Sequence, residues 1–241
     1  MQKYLLCLLP IGFIHAGLLQ WQDFENNVYV GSAISVNDVT VSKFGTTSNA
    51  SGLINLGATN LFDNHIYLKL DAGFDFNNGG SFVSNWSNAD FKVGYSIQSD
   101  EINLIPYGVM GIGNDGAYYS NVTNYKYGLG LLTEYMITPD WLLYADINYQ
   151  LQNFSGDINN NFNQNVLNNT ATYHMDNNNP STYGIDIGIK YITKNGLYFN
   201  PYFKYQDYQQ SFSLTGGLIN YGTLTPTTNQ YQIGINVGLS I

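Results

Sequence analysis

Arginine is missing from this chain, and the only other fixed cation, lysine, occurs eight times in 241 residues. The net charge is −9 at pH 7. A basic groove is therefore not available, which excludes nucleic acid as a partner. Charged residues of both signs reach only 10%, against about 25% in an ordinary soluble domain. Cysteine occurs once, at Cys7, so no disulfide framework exists. Past the first residues no run of about 18 apolar side chains appears, so no membrane helix is on offer. The histidines are His15, His65 and His174. The two beyond the leader are isolated, a poor start for a metal site.

What is there is tyrosine, glycine and alternation. Aromatics make up 15% of the chain, 21 of them Tyr, beside 25 Gly. In the last stretch Tyr231, Ile233, Ile235, Val237, Leu239 and Ile241 alternate with Gln232, Gly234, Asn236, Gly238 and Ser240. Side chains alternate faces along a strand, so one face is apolar and the other is not. Tilted by about 40°, such a strand crosses an apolar band about 25 Å tall. It reads as the closing strand of a membrane β-barrel.

The start of the chain reads as a secretory leader over residues 1–16. Lys3 supplies the positive charge, Tyr4 to Ile14 the apolar core, and Ala16 the small residue before the cut. Residues 17–26, with Trp21 and Phe24, read as a short periplasmic lead-in, and 27–241 as one barrel domain.

Ten strands are expected from period-two patterning. They are Val28–Val36, Ser51–Leu61, Ile66–Phe76, Ala89–Gln98, Ile102–Gly113, Tyr125–Tyr135, Leu143–Leu151, Tyr183–Tyr191, Leu197 to about Phe212, and Tyr231–Ile241. Eight is the alternative count, if Ser51–Leu61 or Ile102–Gly113 is not a strand. The second of these is apolar on both faces, so its orientation stays open. Tight turns at Phe62–His65, Ser99–Glu101, Thr138–Asp140 and Thr193–Gly196 alternate with polar loops. Those loops are read at Asp38–Ala50, Asn77–Trp86, Asn114–Val122, Ser155–Ser181 and Ser213–Asn229. Membrane barrels keep short turns on the periplasmic side and long loops outside. The fold class is an all-β, up-and-down, antiparallel transmembrane barrel.

One parity collects nearly all mid-strand charge: Lys69, Asp71, Asp75, Asp90, Lys92, Lys126, Glu134, Asp146, Asp186, Lys190 and Lys204. A charge facing lipid at mid-membrane costs roughly 2–4 kcal/mol, so these are read as lumen residues. The signs nearly balance, which points to paired charges in a filled interior. Asp71 is expected to oppose Lys92, and Asp186 to oppose Lys204. Inward glycines leave room for Lys and Tyr. On the other parity, Tyr127 with Tyr135, and Tyr183 with Tyr191, stand eight residues apart on single strands. That is roughly 20 Å of membrane normal, the spacing of two interfacial aromatic belts.

These features together resemble the small bacterial outer-membrane β-barrels: the OmpA-type barrel domain, opacity proteins and porin-like surface antigens of Gram-negative bacteria. The resemblance covers the chain after the leader and implies residence in the outer membrane. It implies outer-membrane lipid as the solvent, and recognition of the strand Tyr231–Ile241 by the barrel-assembly machinery. That signal commonly ends in Phe or Trp; here it ends in Ile241. A structural, surface-exposed role follows, as adhesin or surface antigen, with a host or surface ligand at the outer loops. The alternative is a narrow porin-like channel for small solutes. No cofactor is expected, because Gly111-Ile-Gly113 and Gly128-Leu-Gly130 open no helix. Enzyme chemistry is not expected either. Ten-stranded omptin proteases set two aspartates against a His–Asp pair, and His174-Met-Asp176 has no Asp-x-Asp facing it.

Overall fold

The structure is a computed structural model. It describes residues 21–41, 45–76, 87–114, 123–155, 157–158, 173–174, 181–209, 212–214, 222–224 and 227–241. The leader and the loops Asn77–Trp86 and 115–122 lie outside the described residues.

Ten barrel strands are present: β1 Asn27–Val41, β2 Gly45–Leu61, β3 Ile66–Phe76, β4 Ser87–Tyr95, β5 Ile102–Asn114, β6 Thr123–Thr138, β7 Trp141–Ser155, β8 Ser181–Ile192, β9 Leu197–Gln209 and β10 Thr227–Ser240. Ile97–Gln98 continues β4 on the same register beside β5. Every strand pairs antiparallel with its sequence neighbours, and β1 pairs with β10 to close the sheet. Closure leaves no open edge among the mid-strand residues, as a bilayer requires.

Both strands of weak pattern exist. β5 turns Ile102, Leu104, Met110 and Ile112 outward and buries Asn103, Ile105, Tyr107 and Val109, which settles its orientation. Proline interrupts the ladder twice without breaking the barrel. Pro201 faces outward and donates no N–H, so β8 and β9 lose pairing between Gly188↔Tyr202 and Tyr191↔Phe199. The Asn200 side-chain amide donates instead to the Ile189 carbonyl at 3.1 Å, restoring the missing bond. Pro106 marks the corresponding gap between β4 and β5.

The loop ends differ from expectation. Asp38–Ala50 is not a loop: β1 and β2 run on to Val41↔Gly45, with Asp38 opposite Ser48. Its Thr, Val and Ser residues suit an extended hairpin, and polarity reports only that it stands beyond the lipid. The interval Ser155–Ser181 contains a short ladder, Tyr173↔Ile158 and His174↔Asp157. A second ladder, Phe212–Leu214 with Gly222–Leu224, precedes β10, which begins at Thr227. β9 ends at Gln209.

The outer wall is apolar. Leu129, Ile233 and Ile34 are 72%, 69% and 67% exposed, which in water would be untenable for a wall of this extent. The four tight turns gather at one end with α1, a helix over Trp21–Glu25. Two turns use left-handed backbone, at His65 (φ 67°) and Gly196 (φ 77°). Only the second has the residue that takes it without cost.

Candidate functional site: the lumen and its periplasmic plug

Four inward tyrosines lie flat along the wall, each folded over a glycine directly opposite on the next strand. The pairs are Tyr29 over Gly57, Tyr107 over Gly130, Tyr144 over Gly188 and Tyr202 over Gly234. A Cβ on any of these glycines would run into the ring. Lying flat, the ring carries its hydroxyl to a polar group on another strand. Tyr29 donates to Asp71, Tyr107 to Asp146, and Tyr144 to Asp186 at 2.9 Å. Asn55 donates to the Tyr202 hydroxyl at 2.6 Å.

Lysines complete this network. Lys92 reaches across the lumen to Asp146 at 2.6 Å, Lys69 lies 3.2 Å from Asp71, and Lys126 lies 3.6 Å from Asp90. The register places Asp186 opposite Lys204, as expected. It does not place Asp71 opposite Lys92: Asp71 faces Asp90, and Lys69 faces Lys92. The β8–β9 turn is tight and fixes register, whereas β3 and β4 join through a long loop that does not. A slip of two residues keeps the faces and exchanges the partners. Asp75 sits in β3 opposite Leu53; its side chain lies outside the described residues.

The turn end of the lumen is filled by α1. Trp21, Phe24 and Glu25 of α1 are all buried. Lys190 donates to Glu25 and, at 2.6 Å, to Glu134. Asn103 also donates to Glu134 at 2.9 Å. Two carboxylates share one ammonium here. Burial, and then the neighbouring Glu134, push the Glu25 carboxyl well above the usual carboxylate range. Outside this cluster, Trp21 Nε1 donates to the Ser99 carbonyl at 3.3 Å and Gln22 to Asp63 at 2.8 Å. Asn26 accepts from Leu61 N–H through its side chain and from Ile241 N–H through its carbonyl. The helix thus pins the start of the chain across the seam where β1 meets β10. Above it Leu61, Tyr67, Ile105, Leu142, Ile192 and Tyr198 pack at 2% exposure or less.

Toward the loop end the filling is looser and amide-rich. Asn124 donates to Gln152 at 2.7 Å, Gln150 to Asn148 at 3.1 Å, and Gln232 to Gln230 at 2.8 Å. Below these amides, midway along the lumen, lies a cavity of about 90 Å³ lined by Lys69, Asp71, Asp90, Lys92, Asp146, Asp186 and Lys204 together with Asn148, Gln150 and Gln232.

Outward tyrosines of the wall fall near its two ends, with Phe91 and Phe203 at mid-strand between them. Tyr127 and Tyr183 share the loop-side row with Tyr149, Tyr205 and Tyr231; the Tyr149–Tyr183 and Tyr205–Tyr231 ring centroids are 4.9 and 5.2 Å apart. Tyr135 and Tyr191 lie near the turns. There Tyr191 stacks on Trp141 at 4.4 Å and neighbours Phe199 at 6.2 Å. Five of the six apolar residues of the closing stretch, Tyr231, Ile233, Ile235, Val237 and Leu239, line up outward along β10, and Ile241 donates to the Asn26 carbonyl just beyond it. His174 lies in its short ladder; its side chain and Asp176 are outside the described residues. Among the described residues no group of His, Cys, Asp and Glu is set to hold a metal.

A closed, ten-stranded antiparallel barrel with lipid-compatible walls and charges turned inward defines the class: a small outer-membrane β-barrel protein. No family model matches this chain, and none of the curated proteins does. Among solved structures it is similar to the outer-membrane protease OmpT from Escherichia coli, at 10% identity over 89% of this chain and 96% of that one, TM-score 0.48. It is similar to OprG from Pseudomonas aeruginosa, at 12% identity over 90% and 98%, TM-score 0.44. The NanC porin gives 12% identity over 86% and 100%, TM-score 0.43. At these values the protease and porin activities in their names do not pass to this chain.

Proposed function

We propose that this protein is a closed-lumen outer-membrane barrel that acts through its extracellular face, as a surface antigen or adhesin, rather than through transport or catalysis. The observation that carries this reading is the plug: α1 and the Glu25–Lys190–Glu134 cluster fill the periplasmic mouth. The acidic, amide-rich outer segments are then the parts offered to a host or surface ligand. The two aromatic rows serve as girdles at the membrane interfaces. The strand ending at Ile241 serves as the signal to the barrel-assembly machinery.

The test is planar-bilayer conductance of the folded barrel, its folding checked by faster gel migration before boiling. The reading predicts no steady conductance. The second reading, a narrow channel for small solutes, is favoured by the mid-lumen cavity of about 90 Å³. It predicts discrete conductance steps in the unmodified protein, and their appearance would overturn the first.

A further inference from the structure

Three lumen aspartates are held by one plan, and only two of the three sets are complete. Asp71 has a tyrosine hydroxyl and a lysine, Tyr29 and Lys69. Asp146 has Tyr107 and Lys92. Asp186 has its tyrosine, Tyr144 at 2.9 Å, and among the described residues it contacts no lysine. The lysine that the register sets opposite it is Lys204. Four other inward lysines, Lys69, Lys92, Lys126 and Lys190, each contact a carboxylate. Lys204 contacts none among the described residues. Asp186 and Lys204 both line the cavity of about 90 Å³, with Asn200, Tyr202 and Gln232 around them.

We propose that Asp186 and Lys204 form a binding site for a small zwitterion of the α-amino acid type. Its ammonium sits on Asp186 and its carboxylate on Lys204. Removing a charge from water is unfavourable unless it is paired. A simple anion answers Lys204 and leaves Asp186 with Tyr144 in contact and Lys69 and Lys204 only across the cavity; a simple cation answers Asp186 and leaves Lys204 with no anion in contact among the described residues. One molecule carrying both charges completes the third set as the first two are completed internally. The neighbouring amides and the Tyr202 hydroxyl donate and accept, which suits both ends of such a ligand. Size limits the class: one water occupies about 30 Å³ of liquid. The cavity therefore holds a few waters or an amino acid as small as glycine or alanine. The plug closes the periplasmic side, so the ligand enters from the loop end.

The experiment is calorimetric titration of the full barrel in nanodiscs with glycine, acetate and methylammonium as separate probes. Saturable glycine binding, roughly tenfold or more tighter than either single-charge probe, supports the site. The same loss in Lys204→Met and in Asp186→Asn supports it further, with Lys194→Met, in an exposed turn, as the unchanged control. Acetate binding as well as glycine, with Asp186→Asn silent, overturns the zwitterion in favour of an anion at Lys204. No saturable glycine binding by the unmodified protein overturns the site without any variant. This result is separable from the conductance test: a non-conducting barrel that ignores glycine defeats this proposal alone, and a conducting barrel that binds glycine defeats only the closed-lumen reading.

Discussion

The turn end and the middle of the lumen are built on the same strands and do different things with charge. At the turn end one lysine serves two buried carboxylates, a helix covers them, and aliphatic side chains and tyrosine rings fill the space above. In the middle Lys204 and Asp186 stand opposite each other without an ion pair, beside a cavity lined by charges and amides. The difference shows what a polar lumen allows. Buried charge at the mouth acts as a fastener, because Lys190 is held by both Glu25 and Glu134. Charge in the cavity remains available to a ligand.

The same substitution in the two regions breaks the comparison most sharply. Lys190→Met strips from Glu25 and Glu134 the cation that they share, so it is expected to destabilise by about 3–5 kcal/mol. Urea titration of the folded band checks this, and Trp21 emission should shift to the red as α1 leaves its seat. Lys204→Met removes no ion pair among the described residues and is expected to change stability by less than about 1 kcal/mol. Equal losses at both positions would erase the distinction.

Glycine substitutions sharpen it within the wall. Gly130→Val drives a branched side chain into the Tyr107 ring and frees Asp146 of its hydroxyl partner, for about 1–3 kcal/mol. Gly108→Ala, on the outer wall with only the Gly128 carbonyl at 4.0 Å, is expected to stay within about 0.5 kcal/mol. Unfolding midpoints of the two variants decide this.

The smallest effect is one of pH. Glu25 binds its proton more tightly in the folded barrel than in the unfolded chain. The folded state therefore holds more protons from the ordinary carboxylate range up to the raised value, and stability falls as pH rises through that window. Stability should be fully present below it. Urea midpoints across the window measure the slope, and Glu25→Gln should flatten it.

Much of the wall was legible in the sequence because period two is a local property. Ile66–Phe76 and Tyr183–Tyr191 show their lipid and lumen faces with no knowledge of neighbours. The pairing Asp186↔Lys204 was legible too, because a tight turn with Asn195-Gly196 sets that register. Asp71 with Lys92 was not, since the long β3–β4 connection leaves register free by steps of two. The tyrosine-over-glycine pairs are cross-strand features and have no signature along one strand. The plug had a faint local signal, Trp21 and Phe24 three apart with Glu25 beside them. What makes it a plug is Lys190, and that distance in sequence hides the contact. Polar composition at Asp38–Ala50 described where the hairpin sits, outside the lipid, and was silent on its being extended.

The most direct measurement is maleimide labelling of single substitutions in α1, made in a Cys7→Ser background that carries no other thiol. Phe24 is fully buried, while Gln22, two residues away, reaches out to Asp63. A closed mouth predicts that Gln22→Cys reacts readily from the periplasmic side and that Phe24→Cys stays unreactive until urea unfolds the barrel. Equal labelling at the two positions in the folded protein would mean that α1 does not occupy the mouth, and the account of a sealed lumen would fall.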